Sequence, residues 1–259
     1  MPSIASFTPL PDLPEGLGAW MSTRAGGRSM PPWDSLNLGD HVGDASAHVA
    51  ANRQLLAQTL GVRPVFLRQV HGVRVLELTA QTPDGAEADA CFTFSPGVAC
   101  TIMVADCLPV LLWDVQGRWV AAAHAGWRGL AGQVGEGVLE SLWAALLARG
   151  AKPEATRVWL GPCIGPTAFE VGPEVRAAFG PAHAQVAAAF RPASADRWWA
   201  DLTALARWRL RQMGLTEPGG NDGTRPWCTV SNAALFFSHR RDAARLGSSG
   251  RMAACIWRR

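Results

Sequence analysis

Cys107 and His124 are the residues of this chain best placed to do chemistry. They stand near the two ends of MVADCLPVLLWDVQGRWVAAAHAGWRGL, residues 103–130, a stretch that otherwise reads as two apolar strands around a short polar turn. If VLLWD and RWVAA pair antiparallel about Gln116-Gly117, Val110 falls opposite Ala123 and Cys107 opposite residue 126. His124 is then a diagonal neighbour of Cys107 across the hairpin mouth, roughly 7–8 Å away. A thiol and an imidazole so placed can share one metal ion or one proton. His71, at a strand end in RQVHGV, is a third donor, although spacing alone does not bring it to the pair. One thiolate and two imidazoles form a borderline-soft set that suits zinc or copper. Three protein ligands leave a fourth tetrahedral position for water or substrate, and zinc in such a site lowers the pKa of water to about 7. Without a metal, Cys107 and His124 read as a nucleophile–base pair, with Asp106 or another carboxylate orienting the histidine.

Three arginines are candidates for an anionic substrate group. HAGWRG reads as the opening of a helix near Gly126 or Trp127, with Arg128 in its first turn. A helix N-terminus disfavours a cation, so Arg128 needs another partner. Arg24 follows a strand in MSTRAGG, and FFSHRRD reads as a strand ending at Arg240 and Arg241. Guanidinium groups suit bidentate phosphate binding. Cys163, in the tight turn GPCIG, reads as a buried structural thiol.

The elements around these residues alternate short strands with a few helices. SAHVAANRQLLAQTLG, residues 46–61, reads as a helix with Val49, Leu55, Leu56 and Leu60 inward and Gly61 as the stop. VFLRQVHG, VRVLEL, ADACFTF, VACTIMVA, LPVLLWD, RWVAAAHA and TRVWLG read as strands. GLAGQVGEGVLESLWAALLARG is the strongest helix, with Val134, Val138, Leu139, Leu142 and Leu146 on one face. PEVRAAF and DLTALARWRLRQMG follow as helices, the latter capped by Asp201. TEPGGNDGTRPW reads as a loop, and PWCTV, ALFFS and RMAACIW as three closing strands. Hairpin-like runs without βαβ alternation predict an α+β fold of mostly antiparallel or mixed sheets.

Composition narrows the classes. A chain of 259 residues, 48% apolar, can bury a sizeable core and reads as one unit over 1–259. A net charge of +3 argues against a nucleic-acid surface, with Arg207/Arg209/Arg211 and Arg240/Arg241 the local exceptions. No apolar run reaches the roughly 18–20 residues of a membrane span. The N-terminus lacks a basic start and an apolar h-region, so the expected compartment is the cytoplasm. Six cysteines without a secretory signal and without a CxxC pair predict free thiols and no zinc ribbon. The oligomeric state is left open.

STRAGG, SLNLGDHVGD, RQVHG, EADACFT, ADCLPVLLWD, AAAHAGWRGL, GPCIGPTAFEVGPEV and FFSHRRD run almost end to end. Through them the chain resembles the YfiH-like proteins, long called laccase-domain or polyphenol oxidase proteins and later described as purine nucleoside phosphorylases. The resemblance implies an α/β/β/α sandwich. It implies Zn²⁺ held by His71, Cys107 and His124, phosphorolysis of adenosine, inosine, guanosine and methylthioadenosine, and deamination of adenosine. Purine nucleosides and phosphate are then the partners, with Arg24, Arg128 and Arg240 as substrate-binding residues and Asp106, by adjacency, as a proton-transfer group. His239 departs from the tyrosine usual at that place, and DAARLGSSGR is longer than the usual link to the final Gly-Arg.

Other functions stay open at this level. Six histidines with no HxH pair are too few for the mononuclear and trinuclear copper sites of a true laccase, although Cu²⁺ can occupy the single site in vitro. A Cys–His hydrolase and a non-catalytic nucleotide sensor are the remaining alternatives.

Overall fold

The computed structural model describes residues 4–132, 136–180 and 183–259. The first part contains β1 (Leu17–Met21), α1 (Ser46–Leu60), β2 (Arg63–Phe66), β3 (Val75–Glu77), β4 (Ala90–Thr93), β5 (Val98–Val104), β6 (Leu108–Asp114) and β7 (Val120–Ala125). There follow α2 (Trp127–Ala131), α3 (Val138–Ala148), β8 (Thr156–Leu160), β9 (Glu170–Val171), α4 (Pro173–Ala178), α5 (Ala184–Ala188), β10 (Phe190–Ser194) and β11 (Arg197–Ala200). The chain closes with α6 (Leu202–Gln212), β12 (Gly219–Gly220), α7 (His239–Leu246) and β13 (Met252–Arg258).

Two sheets stack between helices. One has the order β12-β8-β6-β7-β4-β3 and the other β1-β13-β5-β2, and a small third sheet runs β10-β11-β9. Every residue of β5, β6 and β7 is buried, because these strands are covered on both faces. Alternate side chains sort into separate layers. Cys100, Ile102 and Val104 of β5 meet Leu111, Trp113, Val120 and Ala122 between the two sheets. Ala99 and Met103, on the opposite face of β5, pack with Leu56 and Leu60 of α1. Val110, Leu112, Ala121 and Ala123 pack with Leu139 and Leu142 of α3 and Leu205 of α6. The result is the expected α+β sandwich. Most strand pairs are antiparallel, and β2/β5, β3/β4 and β12/β8 are parallel.

The register of the central hairpin agrees with the spacing: Val110 pairs with Ala123, and Pro109 with His124. The helix of residues 46–61 also forms, ending at Gly61 in the left-handed conformation. Other segments differ. The long helix after His124 is two helices, α2 and α3, because the chain leaves α2 at Gly132 with φ 68° and ψ −164°. Val134 lies outside the described residues. Of the three closing strands only β13 forms. PWCTV makes a 3₁₀ turn at Arg225–Trp227, with proline at its start, and then a single bridge from Cys228 to Cys163. ALFFS is not a strand: it follows a turn fixed by Asn232, whose side-chain amide donates to the carbonyls of Arg225, Pro226 and Cys228. FFSHRRD is not a strand end. Ser238 caps α7, accepting from the Arg241 N–H, while Asp242 accepts from the Ser238 N–H. A serine at that position is an N-cap residue type, a helix-start signal present in the sequence. All six cysteines are free.

Candidate metal centre

Three elements deliver three donor side chains to one point. β7 carries the buried His124, and the bend before β6 carries the half-buried Cys107. His71 arrives on the segment after β2. Gln69 pins that segment to β5, its amide accepting from Met103 N–H and donating to Met103 C=O, both at 2.8 Å. His71 itself has φ 61°, a left-handed conformation that needs outside support in a residue other than glycine. Asp89 supplies it. Its carboxylate accepts the successive N–H groups of Val70, His71 and Gly72 at 3.1, 2.9 and 2.8 Å. Three consecutive amides around one anion form a nest that fixes the turn.

The same carboxylate takes Nδ1 of His124 at 2.8 Å. A carboxylate only accepts, so Nδ1 carries the proton and Nε2 is left free toward Cys107 and His71. The donor atoms of His71, Cys107 and His124 all lie within 4.8 Å of one another, with Cys107 Sγ 3.7 Å from His71 Nε2. The two rings meet edge to face, with centroids 4.7 Å apart. Glycines make the space. A Cβ at Gly126 would lie 2.9 Å from Cys107 Sγ and 3.0 Å from the His71 ring, and one at Gly129 would lie 2.9 Å from the Gly72 carbonyl. The glycines of HAGWRG therefore let α2 press against both the thiol and the His71 turn. The convergent thiol and imidazoles, oriented by a buried carboxylate behind one of them, fit a divalent ion of zinc or copper type with an open position.

The electrostatics of the bare protein agree with this. Burial opposes ionisation of Cys107, yet the charge and hydrogen bonds of His124 and His71 bring its pKa down to about 6. Burial also opposes protonation of His124, but the Cys107 thiolate and Asp89 raise its pKa to about 9. Asp89 lies below the usual carboxylate range: burial pushes upward, and His124 with the amides of the nest outweighs it. Without a metal the pair is therefore held as thiolate and imidazolium beside the carboxylate, and a metal ion at this point would take the place of the Nε2 proton of His124.

The donors open into a cavity of about 420 Å³. Arg128 and Arg240 line it, each beside an aromatic ring that also lines it. The Arg128 guanidinium lies 4.3 Å from the Trp127 ring centroid, and that of Arg240 lies 5.5 Å from the Phe169 centroid. Arg24 is elsewhere. It lines a separate depression with Asp34 and Ala233, bonds to both, and sits against Phe237. Asp106 lines the cavity, but Thr229, Ser238 and the Arg240 N–H donate to its carboxylate at 2.5, 3.0 and 2.6 Å. It anchors the start of α7. The carboxylate that orients His124 is Asp89, which residue-type reasoning missed; its place in EADACFT was the available signal. Arg251, also missed, lines the cavity too. The basic cluster on α6 is neutralised locally: Arg207 and Arg211 pair with Glu217, and Arg209 with Glu140. Among the described residues, no helix is long and apolar enough to cross a membrane.

Comparison with known proteins gives a consistent relationship. Residues 18–259 match the sequence profile of the family described as multi-copper polyphenol oxidoreductase laccase. The chain is 47% identical over 247 residues to a Shigella flexneri protein named purine nucleoside phosphorylase YfiH, covering 95% of each chain. It is 47% identical over 254 residues to a purine nucleoside phosphorylase of Pseudomonas aeruginosa, covering 98% of each. Among solved structures, a Neisseria meningitidis protein superposes with a TM-score of 0.85 at 39% identity, covering 95% of this chain and 96% of the other. YlmD from Geobacillus stearothermophilus superposes with a TM-score of 0.83 at 31% identity, covering 95% and 93%.

Proposed function

This chain belongs to the multi-copper polyphenol oxidoreductase laccase family, whose relatives here carry the name purine nucleoside phosphorylase, and from that premise we propose that it is a zinc-dependent purine nucleoside phosphorylase that also deaminates adenosine. The observation that carries this reading is the convergence of His71, Cys107 and His124 within 4.8 Å at a cavity also lined by Arg128 and Arg240. In this reading zinc is the native ion and Cu²⁺ a substitute in vitro. His71, Cys107 and His124 would hold it, and it would supply Lewis acidity and a lowered water pKa for attack at purine C6.

The protein's own residues supply the rest. Trp127 and Phe169 offer flat apolar surfaces to a purine, and the guanidinium groups beside them face the polar parts of the nucleoside. Asp106 holds Arg240 in place through its backbone N–H. In phosphorolysis a phosphate oxygen attacks C1′, the C1′–N9 bond breaks, and its electron pair leaves with the purine, which takes up a proton. The products are the free base and ribose 1-phosphate. In deamination water replaces the 6-amino group and ammonia leaves.

Chromatography of products from zinc-loaded, copper-free enzyme tests the proposal. Adenosine should give inosine without phosphate, and a purine base with ribose 1-phosphate when phosphate is present. Oxidation of catechol-type phenols without nucleoside turnover would restore the oxidase reading.

The alignment of Cys107, His124 and Asp89 favours one alternative, a Cys–His hydrolase. Metal content separates the two, since a thiolate committed to stoichiometric zinc is not a free nucleophile.

A further inference from the structure

Arg251 lines the cavity, and among the described residues its guanidinium has no ion-pair partner. It precedes β13 and is half-buried, whereas Arg128 and Arg240 are exposed. Its backbone is locked: Arg251 N–H donates to Asn37 Oδ1 at 2.9 Å, and Leu38 N–H donates to the Arg251 carbonyl at 3.0 Å. Its stem passes Gly39 so closely that a Cβ there would lie 2.7 Å from Arg251 Cγ. Nη1 is held by the carbonyls of Ser249 and Gly250 at 2.8 and 3.1 Å. Nε and Nη2 have no hydrogen-bond acceptor, and no carboxylate lies within ion-pair distance, among the described residues. Of the other arginines that line the cavity, Arg240 gives Nη1 to the Glu170 carbonyl at 3.0 Å and Arg128 lies over the Trp127 ring, both on exposed side chains.

A guanidinium partly withdrawn from water and left without an anion is unfavourable unless a ligand completes it. The negative groups that bear on Arg251 are Cys107 and Asp106, which places it electrostatically beside the metal donors. His41 lines the same cavity, with its Nδ1 3.5 Å from Asp40 Oδ1. The wall thus presents a rigid fork with one unused bidentate edge, Nε–H and Nη2–H, suited to an oxyanion.

We propose that Arg251, with His41 beside it, binds the inorganic phosphate that attacks the nucleoside, and that the exposed Arg128 and Arg240 face the nucleoside. This rests on the phosphorylase reading for the identity of the anion. The same fork would accept the phosphoryl group of a nucleoside 5′-phosphate, so the experiment includes both ligands.

Metal-loaded wild-type protein, Arg251→Gln, Arg251→Lys and Arg128→Gln are compared in two ways. Inorganic phosphate and adenosine 5′-phosphate are titrated separately by calorimetry without nucleoside, and inosine phosphorolysis is followed at varied phosphate. Arg251→Gln should weaken phosphate binding and raise the phosphate KM roughly ten- to a hundredfold, the loss expected for charge-assisted hydrogen bonds. Its inosine KM should change less than about threefold, since uniform loss of binding belongs to the ligand touched. Arg251→Lys should recover part of the affinity, because it restores charge without the fork. Arg128→Gln should spare the phosphate KM. An unchanged phosphate KM and binding constant in folded Arg251→Gln would overturn the subsite, and so would a loss confined to adenosine 5′-phosphate. If the wild type binds phosphate through Arg251 yet turns over no nucleoside, the phosphorylase reading fails and the oxyanion site stands.

Discussion

Asp89 grips His124 twice: its carboxylate accepts the Nδ1 proton at 2.8 Å, and its main-chain carbonyl accepts the His124 N–H at 2.7 Å. The same carboxylate collects three amides of the turn that carries His71. One buried side chain therefore sets the tautomer of one metal donor and the backbone of another.

Asp89→Asn should consequently lower zinc affinity about ten- to a hundredfold, the usual cost of losing a carboxylate behind a ligating histidine. An amide cannot accept at both ends as the carboxylate does, so the turn at His71 should also exchange its amide protons faster. Competition with a chromophoric chelator measures the first effect and hydrogen exchange the second. Zinc affinity equal to wild type would remove Asp89 from the site.

Cys107→Ala should abolish stoichiometric metal binding and leave the fold intact. The thiol stands at the mouth of the β6–β7 hairpin, whereas the core beneath it is built by residues such as Val110 and Ala123. Elemental analysis of protein purified without added metal should give about one metal per wild-type chain and none in the variant. Undiminished zinc in Cys107→Ala would exclude the assignment of this ligand set.

Gly126→Ala probes the space between α2 and the donors. Its backbone φ of −65° suits alanine, so the obstacle is contact alone: the new methyl would meet Cys107 Sγ at 2.9 Å and the His71 ring at 3.0 Å. Metal affinity should fall at least about tenfold, as small displacements of ligating groups do at such sites. The melting temperature of the metal-free protein should change much less. Normal metal affinity would mean that the donors can move aside.

Metal-stripped protein should carry one selectively reactive cysteine. Cys107 ionises near pH 6, whereas burial raises Cys100 and Cys163 well above the ordinary thiol value and Cys255 to about 12. Alkylation should map to Cys107 and follow thiolate already formed above about pH 6. The stability linkage has two opposing parts. The depressed Cys107 value contributes stability above about 9 that is lost as pH falls through about 6. The raised His124 value contributes stability below 6.5 that is lost as pH rises through about 9. Between these limits the slopes oppose, so the metal-free protein should show a shallow pH dependence there. A steep monotonic change in chemical-denaturation midpoints across that window would contradict the paired assignment.

Local pattern determined much of this protein. The hairpin that brings Cys107 near His124 was legible because a short turn and antiparallel pairing leave little freedom in register. The helix of residues 46–61 was legible from its apolar spacing and its glycine stop. The closing segment was not: Phe236 and Phe237 are buried as a strand would bury them, yet the Asn232 amide, donating to the Cys228 carbonyl, and the Ser238 hydroxyl, accepting from the Arg241 N–H, shape turns and a helix start instead. Only the tertiary structure decided which carboxylate serves His124. Asp106 is the sequence neighbour of Cys107, but its left-handed backbone, φ 89°, and its three donors bind it to α7. Asp89 reaches His124 because β4 lies beside β7, a pairing between segments far apart in the chain. Likewise Arg24 and Arg251 look alike as arginines near glycine, and the fold gives one to Asp34 and leaves the other facing the cavity. Residue type states what a side chain can do; long-range strand order and competing partners decide whether it is free to do it.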